Sequence, residues 1–155
     1  MSEHKLVVCD ASPLIALAQV RALSLLPEMF ARIVVPAAVR AEVMSVARAE
    51  WLEVESVTSV PPALAALSLD RGEKEAIALA LQLNADFILI DETRGREAAK
   101  SFGLHVTGTV GILAAAKRAG LLAEVRPLLD ELNSAHHFWL TRDFVEKTLR
   151  DLGEL

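Results

Sequence analysis

Carboxylates follow directly after two apolar segments of this sequence, a position that suits metal or acid–base chemistry. Asp10 follows the valine-rich run Leu6 to Cys9, and Asp91 with Glu92 follows the run Asp86 to Ile90. Each run has the composition of a strand buried on both faces of a parallel sheet. Ligands bind outside the carboxyl ends of such strands, so these acids are candidate site residues. The alternative for Asp10 is that it only stabilises a turn.

A third acid, Glu42, falls on the apolar face of a predicted helix that begins at Pro36 and runs to about Ala47. Val39, Val43 and Val46 form the i, i+4, i+7 stripe of that helix, and Glu42 lies within the stripe. Burying an unpaired carboxylate is costly, so Glu42 is paired, lies at the edge of the core, or faces a cavity that favours negative charge. A salt bridge to a nearby arginine is the structural alternative.

Helical phase separates two further acids in the predicted helix from Gly72 to about Leu83. Glu73 shares a face with the apolar Ile77, whereas Glu75 lies at the same angle as Gln82. We therefore expect Glu73 to point toward the sheet and Glu75 toward water. A favourable charge near a helix N-terminus would explain either glutamate equally well.

Strands and helices alternate along the chain, which predicts an α/β fold. We expect three layers, α/β/α, around a mainly parallel sheet of four or five strands. Residues 1–155 form one predicted domain, and the C-terminal helices near 122–152 pack on it or form an oligomer contact. Besides the two strands above, the predicted strands are 33–35, 104–106 and a peripheral strand at 51–57. A first helix is predicted to have Ser12 as its N-cap and Pro13 as its first residue, ahead of the apolar segment 14–17. The other predicted helical pieces are 21–26 (closed by Pro27), a short helix that ends near Leu69, 94–102, 110–118, 122–132 and 141–152.

Composition limits the class of protein. The chain has 155 residues, a formal net charge of −5 and a single cysteine, which excludes an intrachain disulfide and a cysteine zinc site. No apolar run reaches the roughly 18 residues that span a bilayer, and no signal peptide is visible, so we expect no membrane association and a cytoplasmic protein. The acidic balance argues against non-specific coating of DNA but does not exclude a nuclease.

The four acids Asp10, Glu42, Glu73 and Asp91 are expected to converge at one end of the sheet. Two like charges about 4 Å apart repel by ~4 kcal/mol at an effective dielectric near 20, so such a site binds cations or protons. Carboxylate oxygens favour Mg²⁺ or Mn²⁺ over zinc. One or two such ions can support phosphodiester hydrolysis, the leading enzymatic interpretation because no nucleotide-binding motif is present.

Basic residues follow the fourth acid and close a later helix, and these are candidates for a phosphate-binding rim. The alternative is a solvated helix face. The candidates are Arg94, Arg96, Lys100, Lys117 and Arg118.

The segments VVCDASPLIAL, VPAAVRAEV, GEKEAIALA and DFILIDETRGREAAKSFGLHVTGTVGILAAAKRAGLL resemble a PIN domain, and more narrowly the DUF3368 type of PIN-like protein. The resemblance covers about residues 5–140. It implies a Mg²⁺- or Mn²⁺-dependent ribonuclease fold that acts on RNA, is often the toxin of a toxin–antitoxin pair with a small antitoxin partner, and is often a homodimer. The matches are Asp10, Glu42, Glu73 and Asp91 for the four acids in order and Ser12 for the hydroxyl residue beside the first.

Two positions depart from the commoner PIN pattern. The third acid is Glu73 rather than Asp, and the fourth region reads Ile-Asp-Glu where many PIN domains have Thr-x-Asp. Glu92 is therefore an alternative to Asp91, and Glu75 is a further alternative ligand. We assign Ser12, Thr107 and Thr109 to the support of the site.

Two functional classes are compatible with these observations. One is a metal-dependent endoribonuclease. The other is a PIN-like module that binds nucleic acid or protein without cutting. A receiver-like phosphorylation domain also has acids at strand ends, but the paired acids and the lysine that it requires are not found.

Overall fold

Five parallel strands form a single sheet in the order β3-β2-β1-β4-β5 in this computed structural model, which describes residues 5–44, 49–136 and 138–155. The predicted α/β class with a mainly parallel sheet is confirmed. The strands are β1 (Leu6–Cys9), β2 (Arg32–Pro36), β3 (Leu52–Glu55), β4 (Phe87–Leu89) and β5 (Val106–Thr107). The helices in the described ranges are α1 (Ala11–Gln19), α2 (Leu25–Met29), α3 (Ala37–Val43), α4 (Pro62–Ala65), α5 (Arg71–Leu83), α6 (Thr93–Ser101), α7 (Thr109–Arg118), α8 (Arg126–Ala135) and α9 (Arg142–Asp151).

Helices cover the sheet on both faces because successive strand residues point in opposite directions. Val7 and Cys9 of β1 belong to one core, with buried residues of α1, α2, α3, α7, α8 and α9. Val8 lies in the second core, beneath α4, α5 and α6. Cys9 is a fully buried small apolar residue, as predicted from its place in a strand. Burial raises the pKa of its thiol.

The strand order places a topological switch point between β1 and β4. From β1 the chain builds outward through β2 and β3 on one side, and through β4 and β5 on the other. The helices that follow β1 and β4 therefore diverge, and a crevice opens between the carboxyl ends of these two strands. The register sets Cys9 opposite Leu89, so the residues after both strands emerge at the same edge.

The C-terminal helices pack on the main core of the domain. Leu129 and Leu132 of α8 and Leu149 of α9 are buried in the first core. No helix in the described part of the chain is long and apolar enough to cross a membrane.

The helix predicted over residues 21–26 is wrong. Arg21 has a positive φ of 59°, and α2 begins only at Leu25. Pro27 does not close this helix but is its third residue, where the missing N–H needs no partner within the helix.

Several element ends also shift. The strand predicted over residues 104–106 begins later than expected. The Leu104 N–H donates to Ala99 O and so completes the end of α6, and β5 starts at Val106. The peripheral strand is confirmed as the sheet edge, β3, although it is shorter than predicted. The final turn predicted for the helix after Pro36 falls on residues 45–48, which lie outside the described residues.

Candidate functional site

Asp10 occupies the switch point. It follows β1 as the N-cap residue of α1, and its own N–H donates to Leu89 O of the neighbouring strand end at 2.9 Å. Ser12 and Pro13, expected to be the N-cap and first helical residue, are instead the second and third residues of α1. The side chain of Asp10 is 4% exposed, so a turn-stabilising role alone does not account for it.

Carboxylates from three elements approach one another at Gly72. A Cβ atom placed on Gly72 would lie 2.9 Å from Glu42 Oε1, 3.5 Å from Asp70 Oδ1 and 3.6 Å from Asp10 Oδ1. All three oxygens thus surround one point, and the missing side chain leaves the space between them open. We call Asp10, Glu42, Asp70 and Glu73 the acid cluster.

Glu73 joins the acid cluster through the start of α5. Its N–H donates to Asp70 Oδ1 at 2.7 Å, and its Oε1 accepts from the Asp70 N–H at 3.3 Å, which together form a capping box. The side chain is 7% exposed, and Oε2 is buried without a hydrogen-bond partner in the described part of the chain. A favourable charge at the helix N-terminus explains the position of Glu73 Oε1 but gives Glu73 Oε2 no hydrogen-bond partner.

The electrostatics of the cluster follow from burial. Desolvation raises the pKa of Asp10 to about 7, opposed by the Ala11 N–H and reinforced by the charges of Glu73, Asp70 and Glu42. Desolvation also raises the pKa of Glu73, with a further contribution from the charge of Asp70. Asp10 and Glu73 are thus buried where negative charge is disfavoured, which a bound cation or proton would relieve, whereas Glu42 and Asp70 are exposed at the edge of the cluster.

The donors of the acid cluster fit a hard divalent cation. They are all carboxylate oxygens, three of them surround a single point, and the buried Oε2 of Glu73 needs a partner. Over the described ranges, no group of three or more His, Cys, Asp or Glu side chains is arranged so that it could hold a metal ion. The cluster therefore has the donor chemistry of such a site but not its geometry.

Thr109 holds both carboxylate oxygens of Asp91. Its Oδ1 accepts from the Thr109 N–H at 2.8 Å and its Oδ2 accepts from the Thr109 hydroxyl at 2.7 Å, at the start of α7. Burial raises the pKa of Asp91, while the Thr109 hydrogen bonds and the charge of Arg96 oppose the rise. Glu92 is exposed, and its charge acts on both Asp91 and Glu73.

Glu75 is separate from the cluster. It forms an i, i+4 ion pair with Arg71 at 2.6 Å, and its side chain is 16% exposed. The helical phase predicts that Glu75 points toward water, but its side chain is largely covered beside Arg71.

The three predicted hydroxyl residues lie on the same side of the site. Thr109 binds Asp91, as described above. Ser12 and Thr107 line a cleft that opens beside Asp91 and Glu92.

The predicted basic rim divides into different environments. Arg96 and Arg118 line the same cleft, and Arg96 also donates to Ile90 O at 3.1 Å. Lys117 instead pairs with Glu154 at 2.8 Å, where both side chains are largely buried, so it is a structural residue. Arg94 and Lys100 are exposed on α6 outside the cleft lining.

The sequence reasoning missed Asp70. The signal was present, because Asp70 and Glu73 form the D-x-x-E spacing of a capping box just before an apolar helix. This spacing predicts that the Asp70 carboxylate lies beside Glu73.

Comparison with known proteins agrees with this architecture. The chain matches the family described as DUF3368, PIN domain, over residues 6–154. It is similar in fold to a PilT N-terminus domain protein from the hyperthermophilic archaeon Sulfolobus solfataricus, with a TM-score of 0.59, 19% identity, and coverage of 72% of this chain and 92% of that one. No curated protein matches the chain at a significant level.

A mainly parallel α/β sheet with carboxylates gathered at its switch point is typical of α/β domains that bind ligands at the carboxyl ends of their strands. Within that class, this chain belongs to the PIN domain family, DUF3368 type, which confirms the resemblance seen in the sequence. Members of the PIN family are generally divalent-metal-dependent nucleases that bind nucleic acid. An antitoxin partner, a homodimer and a cytoplasmic location stay predictions.

Proposed function

We propose that this protein is a Mg²⁺- or Mn²⁺-dependent endoribonuclease that hydrolyses RNA phosphodiester bonds. The observation that supports this proposal best is the convergence of Glu42, Asp70 and Asp10 oxygens around the open space at Gly72. The two buried acids of the cluster, Asp10 and Glu73, have little structural benefit as neighbours, because like charges in a buried place destabilise the fold.

In this proposal Asp10, Glu42 and Glu73 hold the cation, and a fourth acid comes from the end of β4, at Asp91 or Glu92. Asp70 fixes Glu73 through the capping box and adds negative charge. A bound divalent ion would lower the pKa of a water molecule and neutralise charge on the phosphate. Thr109 holds Asp91 at the start of α7, so the orientation of this candidate fourth acid is fixed.

The test is titration of Mn²⁺ into the purified protein by calorimetry, followed by incubation with a labelled RNA pool in Mn²⁺ or in EDTA. We expect saturable binding in the wild-type protein, weak binding in Glu73→Gln, and unchanged binding in Glu75→Gln. Cleavage should require Mn²⁺ or Mg²⁺. Equal cleavage in EDTA would contradict the proposal.

A second candidate function is binding of RNA without cleavage. It is favoured by the hydrogen bonds that hold Asp91 on Thr109 and by the lack of a formed metal centre in the residues described. This candidate predicts no heat on Mn²⁺ addition and RNA affinity that is the same with and without the ion. The calorimetric titration therefore separates the two functions.

A further inference from the structure

One buried oxygen of Glu73 lies against the first turn of a neighbouring helix. Glu73 Oε2 has no hydrogen-bond partner among the described residues, whereas Oε1 accepts from the Asp70 N–H at 3.3 Å. The neighbouring helix is α6, whose third residue is Gly95. A Cβ atom placed on Gly95 would lie 2.7 Å from Glu73 Oε2. The Glu73 carboxylate therefore occupies the space that a side chain at position 95 would fill.

The contact between Gly95 and Glu73 leaves no room for even the smallest side chain. Close contacts between a carbon and an oxygen atom that are not bonded to each other are about 3.3 Å or longer. A Cβ atom on Gly95 would come well inside that distance of Glu73 Oε2. With an alanine at position 95, α6 and the Glu73 carboxylate could not both keep their present positions.

The conformation of α6 does not require glycine at position 95. Gly95 lies within the helix and is not one of the glycines with a positive φ, which are Gly103, Gly120 and Gly153. At such a position alanine is the better helix former. Glycine at position 95 therefore weakens the helix, and its benefit lies in the groups that pack against it.

Two side chains pack against Gly95. Besides Glu73 Oε2, a Cβ atom there would meet Ile90, at 2.5 Å from Cδ1 and 3.2 Å from Cγ1. Ile90 Cδ1 is a single methyl group at the end of a rotatable side chain. Glu73 has less freedom to move, because its N–H donates to Asp70 Oδ1 at 2.7 Å and its Oε1 accepts from the Asp70 N–H. Displacing Ile90 would change the packing of the core, whereas displacing Glu73 would change the acid cluster.

We propose that Gly95 is a positioning residue for Glu73, because the missing side chain leaves the space in which Glu73 Oε2 lies. Glu73 is one of the two buried acids of the acid cluster, and the capping box with Asp70 engages only its Oε1. Gly95 thus sets the position of the oxygen that is left for a cation. This inference rests on the proposed function, because it concerns a proposed ligand of that same site.

Calorimetric titration of Mn²⁺ into full-length Ile90→Val protein, with and without Gly95→Ala, tests the inference. Ile90→Val removes the Cδ1 atom, so that Glu73 Oε2 is the atom nearest to the new Cβ. Gly95→Ala should raise the Kd for Mn²⁺ about tenfold, the effect typical of losing a residue that orients a metal ligand. An unchanged Kd would overturn the inference.

Gly120→Ala is the matched control. Gly120 has a φ of 80°, and a Cβ atom there would meet no described atom within 4 Å apart from its chain neighbours. The same substitution therefore strains the backbone without touching the acid cluster. It should lower the Tm and leave the Kd for Mn²⁺ unchanged. An equal rise in Kd in both variants would overturn the inference, because the loss would then follow from general destabilisation.

A shorter acid at position 73 tests the contact without metal. Glu73→Asp withdraws the carboxylate from Gly95 by one methylene group. In EDTA, Gly95→Ala should lower the Tm by several degrees when residue 73 is Glu, and by much less in the Glu73→Asp background. Equal losses of Tm in the two backgrounds would overturn the inference. If Gly95→Ala alone does not fold, the double variant with Glu73→Asp should fold, and its failure to fold would also overturn the inference.

Failure of the inference is distinguishable from failure of the proposed function. If the wild type binds no Mn²⁺ while the Tm cost of Gly95→Ala in EDTA depends on the acid at position 73, the proposed function is overturned and the positioning of Glu73 stands. If the wild type binds Mn²⁺ and Gly95→Ala does not change the Kd, the inference alone is overturned.

Discussion

The ionised carboxylate of Asp10 destabilises the metal-free protein, so the stability of the fold is expected to depend on pH. Its pKa rises from the ordinary 3.8 to about 7 because of burial and of the neighbouring acids. Between pH 3.8 and about 7, Asp10 is largely ionised in the unfolded chain and largely protonated in the folded protein. The free energy of unfolding therefore falls as pH rises through this range. The loss is complete above pH 7 and is of the order of a few kcal/mol.

Asp10→Asn removes that loss with little change in volume. In EDTA at pH 8 we expect the Tm of the variant to exceed that of the wild type by several degrees, and the difference to disappear near pH 4. Thermal denaturation at both pH values measures it. Asp130→Asn, at an exposed position of α8, is the control. A variant with a lower Tm at pH 8 would show that the Asp10 charge stabilises the fold.

At the scale of the element, the first turn of α5 is shaped by the space that Gly72 leaves. Gly72 is the second residue of this helix, where alanine is the better helix former by up to about 1 kcal/mol. A Cβ atom there would come within 2.9 Å of Glu42 Oε1, a flexible side-chain end that can move. Gly72 therefore leaves space for the Glu42 carboxylate in the acid cluster, although alanine would stabilise the helix better.

Gly72→Ala should keep or slightly raise the Tm while weakening Mn²⁺ binding severalfold, because Glu42 is displaced. Calorimetry and thermal denaturation of one preparation provide both values. The control is the same substitution in a Glu42→Ala background, where it should have no further effect on Mn²⁺ affinity. An equal loss of affinity in both backgrounds would show that Gly72 does not act through Glu42.

The strands and the acids were more predictable than the helix ends. Apolar runs such as Leu6 to Cys9 show buried strands directly, and the phase of Glu73 against Glu75 follows from helix geometry alone. The strand predicted from Leu104 starts later because the Leu104 N–H donates to Ala99 O. The start of α8, later than predicted, depends on Pro127 and on Glu154, which is 27 residues further along the chain. Such contacts between distant residues leave no local pattern.

The hydrogen-bond partner of Asp91 was also beyond the sequence. That β1 and β4 end side by side agrees with a strand-end aspartate near Asp10. The two hydrogen bonds from Thr109 to Asp91 could not be predicted in the same way. Position along a strand fixes the backbone, but the partner of the side chain depends on the neighbouring helix start.

At the scale of the whole molecule, Glu154 connects the C-terminus to two helices. Its carboxylate accepts from Lys117 Nζ of α7 and from the N–H groups of Val125 and Arg126 at the start of α8. Burial would raise the pKa of Glu154, but these hydrogen bonds outweigh it and lower the pKa. The stabilisation is thus present above the ordinary pKa of 4.5 and is lost as pH falls.

Glu154→Ala should lower the free energy of unfolding by about 2 kcal/mol at pH 7, because it leaves a largely buried ammonium group and two N–H donors without their acceptor. The difference from wild type should shrink below pH 4. Urea denaturation measures both. Glu146→Ala, which breaks only the exposed pair with Arg142, should cost less than about 1 kcal/mol. Equal costs for the two variants would contradict the role assigned to Glu154.

The central claim, that the acid cluster holds a catalytic cation, is tested most directly by RNA cleavage with Asp10→Asn. Wild type, Asp10→Asn and Glu75→Gln are purified identically and incubated with one labelled RNA pool in Mn²⁺ and in EDTA. We predict Mn²⁺-dependent cleavage by the wild type, near wild-type cleavage by Glu75→Gln, and at least a hundredfold loss (~3 kcal/mol) in a folded Asp10→Asn. Equal cleavage by the wild type and Asp10→Asn would contradict the claim.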